Sequence, residues 1–415
     1  MGVAWLTASR SLGRLALEHM ESAGSIAAQL TRNAAENLPA GELEKKLSLA
    51  SDEGRPLRIK LGLDPTAPDI HLGHTVVLTK LREFQDAGHK VVLIVGDHTA
   101  RIGDPSGRSE TRPALTSEEI LSNAKSYESQ AGLILDQDPE RYELRFNSEW
   151  LDMPSADLLE LIRTTTVAQM LERDDFAKRY KSGAPISILE FLYPLMQAYD
   201  SVAINSDVEI GGTDQTFNIL LGRDIQRHYG LPEQAVITMP ILPGIDGVDK
   251  MSKTAGNEIA ITATPDEMFG RTMRIPDAAL DQWFELLAIE RPAPNTSPRD
   301  AKAMLAKAIV ERFHSADAAI AAEAQFSSQF VDHELPEDVE EVEITAEDGL
   351  IHMPAALAEA FSISRSEARR LVEQGGVKVS GEPFDQGLLD AKADDLDGNV
   401  VQIGRRRFKR FRIAR

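Results

Sequence analysis

The 415-residue sequence contains no cysteine. This absence excludes a disulfide framework, a thiolate zinc site and a cysteine nucleophile, and it fits a reducing cytoplasm. Long hydrophobic runs are also absent: residues 1–20 are broken by Ser and Arg before they reach the roughly 18 apolar residues of a membrane span. We interpret this stretch as an amphipathic helix, whereas a cleaved transit peptide is disfavoured by Glu18 and Glu21. We therefore expect a cytoplasmic protein that does not enter a membrane.

Acidic residues outnumber basic residues in most of the chain. The formal net charge is −21, which argues against non-specific nucleic-acid binding by the body of the protein. From Met353 onward, however, 12 basic residues face 9 acidic ones, so this part carries +3 and the remainder −24. Residues 405–415, RRRFKRFRIAR, hold seven basic residues, two aromatics and no acid. They either follow a phosphate backbone or form a frayed, solubilising terminus.

The length allows two or three domains, and the first of them alternates strand and helix signals. Residues 57–64, LRIKLGLD, predict a short strand, residues 71–89 a helix, and residues 90–97, KVVLIVGD, a buried parallel strand. This is a β-α-β unit. Parallel sheets of this type bind ligands at the carboxyl ends of their strands, where residues 64–70, DPTAPDI, are expected.

The later part of the chain changes character. Residues 264–330 show mostly helical patterns, 332–349 are acidic without a helical apolar face, and a compact module follows in which Ser364 or Ser366 caps a helix. We predict an N-terminal helical segment, a catalytic domain, a helical domain, an acidic linker and a C-terminal domain at residues 1–50, 51–262, 263–331, 332–350 and 351–415.

Two histidines flank a Leu-Gly pair at the predicted helix start, in the sequence HLGH. His71 and His74 lie on one helix face, so they suit either a metal or a phosphate. Zinc normally needs a third or fourth ligand, and the chain offers neither HExxH nor cysteine. A helix N-terminus carries partial positive charge and free N–H groups, which favours phosphate. Gly73 leaves room for a flat adenine against the backbone.

A second motif, KMSKT at residues 250–254, places Lys250 and Lys253 three apart in a Gly-rich loop after a strand. Two such lysines can fold over an anion and add positive charge as a transition state forms. Alone, the motif is typical of a solvated loop. Together with HLGH earlier in the chain, it indicates a nucleotide site.

A polar stripe interrupts the apolar stretch ISILEFLYPLMQAYDSVAI. Tyr193, Gln197 and Asp200 stand at i, i+4 and i+7 and therefore share one helix face. The stripe is either the solvent face of an amphipathic helix or the wall of a pocket. If it is buried, a ligand without a hydroxyl group would leave Asp200 unsatisfied.

These motifs as a set resemble one family. HLGH followed by KMSKT resembles the paired signatures of class I aminoacyl-tRNA synthetases. Together with IGDPSGR (102–108), YPLMQAYD (193–200) and GGTDQTFN (211–218), they resemble the tyrosyl-tRNA synthetases, in the bacterial branch with KMSK. The C-terminal module is similar to a small RNA-binding domain of a ribosomal small-subunit protein, the S4 type.

The resemblance implies an α/β protein with a Rossmann-like parallel-sheet catalytic domain, an α-helical anticodon-side domain and a small α+β RNA-binding domain. It implies that ATP activates L-tyrosine, which is then transferred to tRNA(Tyr), in a homodimer. ATP would bring Mg²⁺ with it, with no dedicated protein metal site.

The resemblance also implies roles for individual residues. Those implied to be catalytic are Thr66, His71, His74, Lys250 and Lys253. Those implied to bind ATP are Gly73, Asp214, Gln215, Met251, Ser252 and Thr254, with Asp214 and Gln215 serving the ribose and the tyrosine carboxylate region. Those implied to bind tyrosine are Asp64, Asp104, Tyr193, Gln197 and Asp200, with Asp104 on the α-ammonium group and Asp200 on the phenolic hydroxyl. Those expected to bind RNA are Arg365, Arg369, Arg370, Arg405, Arg406, Arg407, Lys409 and Arg410.

One position departs from the family pattern. In another branch of the family, the residue two positions before the glycine of the first strand is a tyrosine, and this tyrosine contacts the substrate hydroxyl. In this chain the same position is Lys60. Lys60 either pairs with a carboxylate such as Asp200 or points elsewhere.

Three other functions share part of this pattern. Another adenylyl- or cytidylyltransferase would not need the C-terminal module, and a tryptophanyl enzyme would lack that module and the polar stripe. A non-catalytic RNA-binding paralogue would not need the histidines and lysines of the two motifs.

Overall fold

The computed structural model describes residues 22–65, 68–105, 116–330, 339–346, 349–385, 388–404 and 407–414. The chain forms two compact units, Met1–Ala319 and Ile320–Arg415. Among the described residues, no helix has both the length and the apolar character needed to cross a membrane.

A six-stranded sheet forms the centre of the first unit. Its spatial order is β1-β6-β5-β2-β3-β4, in which β1 runs antiparallel to β6 and all other neighbours are parallel. The strand order reverses between β2 and β5, and open parallel sheets bind ligands at such a switch point. The strands are β1 (Glu36–Leu38), β2 (Arg58–Leu63), β3 (Lys90–Val95), β4 (Tyr142–Phe146), β5 (Val208–Gly212) and β6 (Ala235–Met239).

Helices cover this sheet and continue beyond it. They are α1 (Ala23–Leu30), α2 (Glu42–Glu53), α3 (Leu72–Asp86), α4 (Ser117–Ala131), α5 (Ser148–Leu151), α6 (Ser155–Arg163), α7 (Val167–Met170), α8 (Asp174–Ser182), α9 (Ile188–Ala203), α10 (Thr216–His228), α11 (Pro265–Thr272), α12 (Leu280–Leu286), α13 (Pro298–Phe313) and α14 (Ala316–Phe330). Short 3-10 turns occur at Thr99–Arg101, Thr213–Gln215 and Asp277–Ala279.

Local sequence explains where the main elements begin. The predicted β-α-β unit is confirmed as β2, α3 and β3. Strand β3 is an apolar run in which every residue after Lys90 is buried, as a central parallel strand requires. Helix α9 begins after Ser187, whose hydroxyl accepts from the main chain while Glu190 bonds back to the Ser187 N–H.

The second unit contains a five-stranded sheet and a two-stranded sheet. The larger has the order β10-β9-β12-β13-β7, with β13 and β7 parallel, and the smaller pairs β11 with β8. Its elements are β7 (Glu341–Thr345), β8 (Leu350–His352), α15 (Met353–Phe361), α16 (Arg365–Glu373), β9 (Val377–Val379), β10 (Glu382–Pro383), β11 (Asp390–Lys392), α17 (Ala393–Leu396), β12 (Val400–Ile403) and β13 (Arg407–Ala414).

Apolar side chains from these elements form a separate core. Met353, Leu357, Val401 and Phe411 are all buried in it. Ser364 is the cap of α16, because its hydroxyl accepts from the Glu367 N–H.

Two predicted segments need correction. Residues 341–345, assigned to the acidic linker, form β7: Val342 and Ile344 pack on the core of the second unit while Glu341 and Glu343 face outward, which is the alternation of a strand. The predicted N-terminal segment is not only helical, because β1 adds a strand to the sheet of the first unit. The predicted helix over residues 1–20 lies outside the described residues. The other domain boundaries stay predictions.

Candidate active site

A cavity of about 460 Å³ opens at the carboxyl ends of the parallel strands of the first unit. Its lining includes Asp64 after β2, Gly96 after β3, Asn147 after β4, Gly212 at the end of β5 and Pro240 after β6. A Cβ atom at Gly96 would lie 2.0 Å from the Asp64 Oδ1 and 2.4 Å from the Thr99 hydroxyl, so any larger residue there would displace these side chains. The cavity therefore occupies the switch point that the strand order creates.

The HLGH motif forms the first turn of α3. His71 caps the helix: its Nδ1 accepts from the Gly73 N–H at 3.2 Å, and the Nδ1 of His74 accepts from the His71 N–H at 3.3 Å. The two rings stack with centroids 3.9 Å apart. Both histidines and Gly73 line the cavity.

These contacts decide the charge and tautomer of both rings. Burial, followed by the nearby His74 and Lys250, lowers the pKa of His71 to about 2. Burial and Lys250 lower the pKa of His74 to about 4. Both imidazoles are therefore neutral at pH 7, and because each Nδ1 accepts a bond, each Nε2 carries the proton and can donate to a ligand.

Backbone hydrogen bonds join the start of α3 to the chain that follows the KMSKT loop. The Leu72 N–H donates to the Ile259 carbonyl at 2.9 Å, and the Ile261 N–H donates to the Ile70 carbonyl at 3.0 Å. His71 and Ala260 form an isolated antiparallel bridge at the same place. The chain that leaves the KMSKT loop is thus fixed against the start of α3.

The two lysines of KMSKT lie at the cavity beside carboxylates. The Lys250 Nζ is 2.5 Å from the Asp214 Oδ2, and the Lys253 Nζ is 4.0 Å from the Asp69 Oδ2. More than half of each lysine side chain is exposed, so both ammonium groups can reach a ligand. Of the other predicted residues in the loop, Met251 is buried, and Ser252 and Thr254 line the cavity.

A buried asparagine that the sequence analysis missed holds this loop in shape. The Asn257 amide donates to the Asp246 carboxylate at 2.5 Å and to the Lys250 carbonyl at 3.3 Å, and its oxygen accepts from the Ser252 N–H at 2.8 Å. The main-chain N–H of Val248 and the Asn257 amide hold the pKa of Asp246 below its usual range. Asn257 has no periodicity or motif partner that could have signalled this role.

The polar stripe of α9 lies in the cavity wall and not on a solvent face. Tyr193 and Asp200 are buried, and Gln197 is half-buried. The Tyr193 hydroxyl donates to the Asp64 Oδ2 at 2.9 Å, and the Asp64 Oδ1 accepts from Thr99 at 2.7 Å. Burial, then Asp64, raises the pKa of Tyr193 well above its usual range, so Tyr193 keeps its proton.

Asp200 lies at a strongly desolvated part of the cavity, with its side chain 2% exposed. The indole N–H of Trp150 donates to its Oδ1 at 2.8 Å. Burial raises the pKa of Asp200 to about 7, while Lys60, Trp150 and Asn147 act in the opposite direction. Neither Trp150, which lies in the short helix α5, nor Asn147, which lies just before it, was predicted, because no motif marks them.

Asp104 lies within an amide network. The Gln215 Nε2 donates to its Oδ2 at 2.8 Å, and the Gln215 Oε1 accepts from Asn218 at 3.0 Å. Asn218 also bonds to Gln197 at 3.0 Å, and the Arg173 guanidinium lies 3.9 Å from Asp104. The structure thus brings the predicted Asp104, Gln197 and Gln215 together through two residues that the sequence analysis missed.

Lys60 is fully buried, with 0% of its side chain exposed, and it pairs with Glu209 at 2.9 Å. From the sequence, Lys60 either pairs with a carboxylate such as Asp200 or points elsewhere. The structure gives it a different carboxylate, although Lys60 is near enough to Asp200 to lower the pKa of that residue.

The predicted RNA-binding residues fall into three groups. Arg365, Arg369 and Arg370 are exposed on α16. Arg407 contacts the Phe361 carbonyl, Lys409 pairs with Glu340 at 2.5 Å, and Arg410 donates to the Gly398 carbonyl at 3.0 Å. Arg405, Arg406 and the predicted catalytic Thr66 lie outside the described residues.

Family comparisons agree with this architecture. The family model described as tRNA synthetases class I (W and Y) matches residues 52–331, and the model of the S4 domain matches residues 356–387. Curated tyrosine–tRNA ligases match most of the chain. The enzyme from Moorella thermoacetica is 50% identical to this chain, and the match covers 92% of this chain and 94% of that enzyme. The enzyme from Thermotoga maritima is 52% identical, and the match covers 86% of this chain and 90% of that enzyme.

Solved structures agree on the fold. The tyrosyl-tRNA synthetase of Archaeoglobus fulgidus complexed with L-tyrosine covers 72% of this chain and 99% of its own, with a TM-score of 0.59 and 23% identity. The C-terminally truncated mitochondrial enzyme of Aspergillus nidulans covers 78% and 99%, with a TM-score of 0.59 and 24% identity.

The described fold is therefore that of the class I tRNA synthetases, a family that uses ATP. Within that class, the chain belongs to the tyrosine–tRNA ligase family.

Proposed function

We propose that this protein activates L-tyrosine with ATP to tyrosyl adenylate and diphosphate, then transfers the tyrosyl group to the 3′ end of tRNA(Tyr), releasing AMP. One observation carries this proposal. The chain that follows the KMSKT loop is hydrogen-bonded to the start of the HLGH helix, and both motifs line a cavity that also contains a buried carboxylate able to accept a hydroxyl group.

The first step needs alignment and charge stabilisation more than proton transfer. The tyrosine carboxylate is already an anion at neutral pH, so it can attack the α-phosphorus of ATP without a general base. The neutral rings of His71 and His74 would donate their Nε2 protons to phosphate oxygens. Lys250 and Lys253 would exchange their present carboxylate partners for the phosphates and stabilise the departing diphosphate.

The rest of the nucleotide would lie between the motifs. Gly73 would face the adenine, Asp214 and Gln215 would serve the ribose and carboxylate region, and Met251, Ser252 and Thr254 would complete the ATP site with Thr66. Mg²⁺ would arrive with the ATP phosphates as part of the substrate. It would neutralise phosphate charge.

Tyrosine would enter with its α-ammonium group toward Asp104, Tyr193 and Gln197, while Asp64 orients Tyr193. Its hydroxyl group would donate to Asp200. Phenylalanine has no hydroxyl group to donate to that desolvated carboxylate, and tyrosyl-tRNA synthetase is itself the established example of discrimination by this principle.

The test is amino-acid-dependent ATP–pyrophosphate exchange with tyrosine, phenylalanine and tryptophan, on the wild-type protein and on Asp200→Ala. We expect exchange with tyrosine alone, and its loss or relaxation in the variant. Exchange with tryptophan instead would overturn the substrate assignment. Silence with all three would overturn the catalytic proposal and favour an RNA-binding paralogue.

For tRNA, we propose that the exposed arginines of α16 contact phosphates, joined by the basic residues 405–410. The double variant Arg369→Ala/Arg370→Ala should weaken tRNA binding and reduce its salt dependence, whereas the exposed Lys392→Ala serves as a matched control. Unchanged affinity and salt slope would contradict the assignment.

Dimerisation is also part of the proposal, and light scattering of the purified protein tests it. A monomeric mass would contradict it. The cytoplasmic location stays a prediction.

A further inference from the structure

Lys60 has a complete set of partners inside the protein. Its ammonium group lies 2.9 Å from the Glu209 Oε1 and donates to the Ser201 hydroxyl at 2.7 Å and to the Gln197 carbonyl at 2.8 Å. An ammonium group has three donors, so Lys60 is fully satisfied. Glu209 is also anchored, because it accepts from Ser201 at 3.0 Å and from Gln234 at 2.5 Å.

Stability alone is a poor reason for such a pair. Bringing two charges out of water costs several kcal/mol, and well-packed apolar residues in place of a buried ion pair are often equally stable or better. The position of the Lys60–Glu209 pair beside Asp200 indicates a role in the cavity. Gln197 and Ser201, which hold Lys60, flank Asp200 along α9, and Glu209 lines the same cavity as Asp200.

We propose that Lys60 is a positioning residue for hydroxyl recognition: from behind the cavity wall it fixes α9 around Asp200 and supplies the positive charge that keeps Asp200 an acceptor. This inference rests on the proposed function, since it assigns Asp200 to the tyrosine hydroxyl. It gives Lys60 an indirect role where another branch of the family has a tyrosine that touches the substrate.

The charges around Asp200 support this role. Lys60 faces it from β2, Glu209 from β5, Trp150 from α5 and Asn147 from the end of β4, while Tyr193 lies on the same helix. Of these groups, Lys60 is the cation. It lowers the pKa of Asp200 against the effect of burial, Glu209 raises it, and the effect of Lys60 is the larger of the two.

Two single variants separate electrostatics from structure. Lys60→Met and Glu209→Gln break the same ion pair with little change in side-chain size, but they leave opposite charges behind. The measurement is the pH dependence of kcat/KM for tyrosine in pyrophosphate exchange, whose acidic limb reports ionisation of the free enzyme. We expect the limb to move to higher pH in Lys60→Met and to lower pH in Glu209→Gln.

At pH 7, Lys60→Met should lose on the order of tenfold in kcat/KM for tyrosine, and most of this loss should be recovered at higher pH. The KM for ATP should stay unchanged, because Lys60 is buried behind the tyrosine end of the cavity. If both variants shift the limb in the same direction, or neither shifts it, the pair has only a structural role and the inference is wrong.

Further controls keep the outcomes distinct. If Lys60→Met does not fold, the double variant Lys60→Met/Glu209→Gln leaves no unpaired charge. The double variant differs from Glu209→Gln only in lacking the charge of Lys60. The acidic limb of its pH profile must therefore lie at higher pH than that of Glu209→Gln. Absence of tyrosine-dependent exchange in the wild-type protein would overturn the proposed function, whereas wild-type exchange with identical pH profiles would overturn this inference alone.

Discussion

The main-chain N–H of Leu72 donates to the carbonyl of Ile259 at 2.9 Å, and this contact joins the start of α3 to the chain that follows the KMSKT loop. Ile261 and Ile70 form the neighbouring bond. Backbone contacts of this kind do not depend on which side chains occupy the motifs. They place the histidines and the lysines at one cavity, although the two motifs lie far apart in the sequence.

Asn257 should control the rate of activation without touching tyrosine. Asn257→Ala removes three hydrogen bonds of this loop, to the Asp246 Oδ2, the Lys250 carbonyl and the Ser252 N–H, each worth about 0.5–1.5 kcal/mol. We expect kcat for exchange to fall tenfold or more, with the KM for tyrosine unchanged, because the loop carries the lysines and not the tyrosine contacts. Steady-state exchange kinetics measure both constants.

The exposed Asn295→Ala is the matched control for this variant and should behave as wild type. A raised KM for tyrosine with unchanged kcat would show that Asn257 acts on the other end of the cavity.

Trp150 should contribute to tyrosine binding through Asp200. Trp150→Phe removes the indole donor, which at present helps to hold the pKa of Asp200 down. Fewer Asp200 side chains are then ionised at pH 7, so we expect the KM for tyrosine to rise about tenfold, equivalent to about 1.4 kcal/mol. Assays at pH 8.5 should recover part of the loss. An identical KM in the variant and the wild type at pH 7 would remove Trp150 from hydroxyl recognition.

Asp200 should reduce the stability of the free protein at high pH. Burial raises its pKa from 3.8 to about 7, so the folded protein binds this proton more tightly than the unfolded chain. The resulting stabilisation is complete below pH 3.8 and is lost as the pH rises through about 7. The variant Asp200→Asn does not titrate and is free of this loss.

Urea unfolding of both proteins tests this linkage. Relative to wild type, Asp200→Asn should gain about 2–3 kcal/mol in free energy of unfolding between pH 5 and pH 8. A difference that is constant with pH would mean that Asp200 is ionised throughout this range.

The two histidines of HLGH should stay neutral well below neutral pH. Burial lowers the pKa of His71 to about 2 and that of His74 to about 4. Nitrogen-15 NMR of the imidazoles should therefore show neutral rings with the proton on Nε2 at pH 5.5, and His74→Gln assigns the signals. Protonated rings at that pH would mean that the histidines bind phosphate as cations.

The sequence made some features of this protein predictable without the tertiary structure. The apolar run of β3 and the helical spacing of α3 follow from local periodicity, which depends only on neighbours in the chain. The HLGH and KMSKT motifs indicated the family. The i, i+4, i+7 spacing of Tyr193, Gln197 and Asp200 predicted that these residues share one helix face. Strand β7 was missed because its alternation is short and its charge is typical of a linker.

Only the tertiary structure decided what each polar group faces. Asp200 accepts a hydrogen bond from Trp150 of α5, and Lys60 of β2 lowers its pKa. Lys60 itself pairs with Glu209 and not with Asp200. These partners come from strands and helices that are distant in sequence, and no local propensity encodes which of them meet. Sequence periodicity specifies which face of a helix or strand a residue occupies. The pairing of buried charges depends instead on which strands and helices are neighbours in the folded protein.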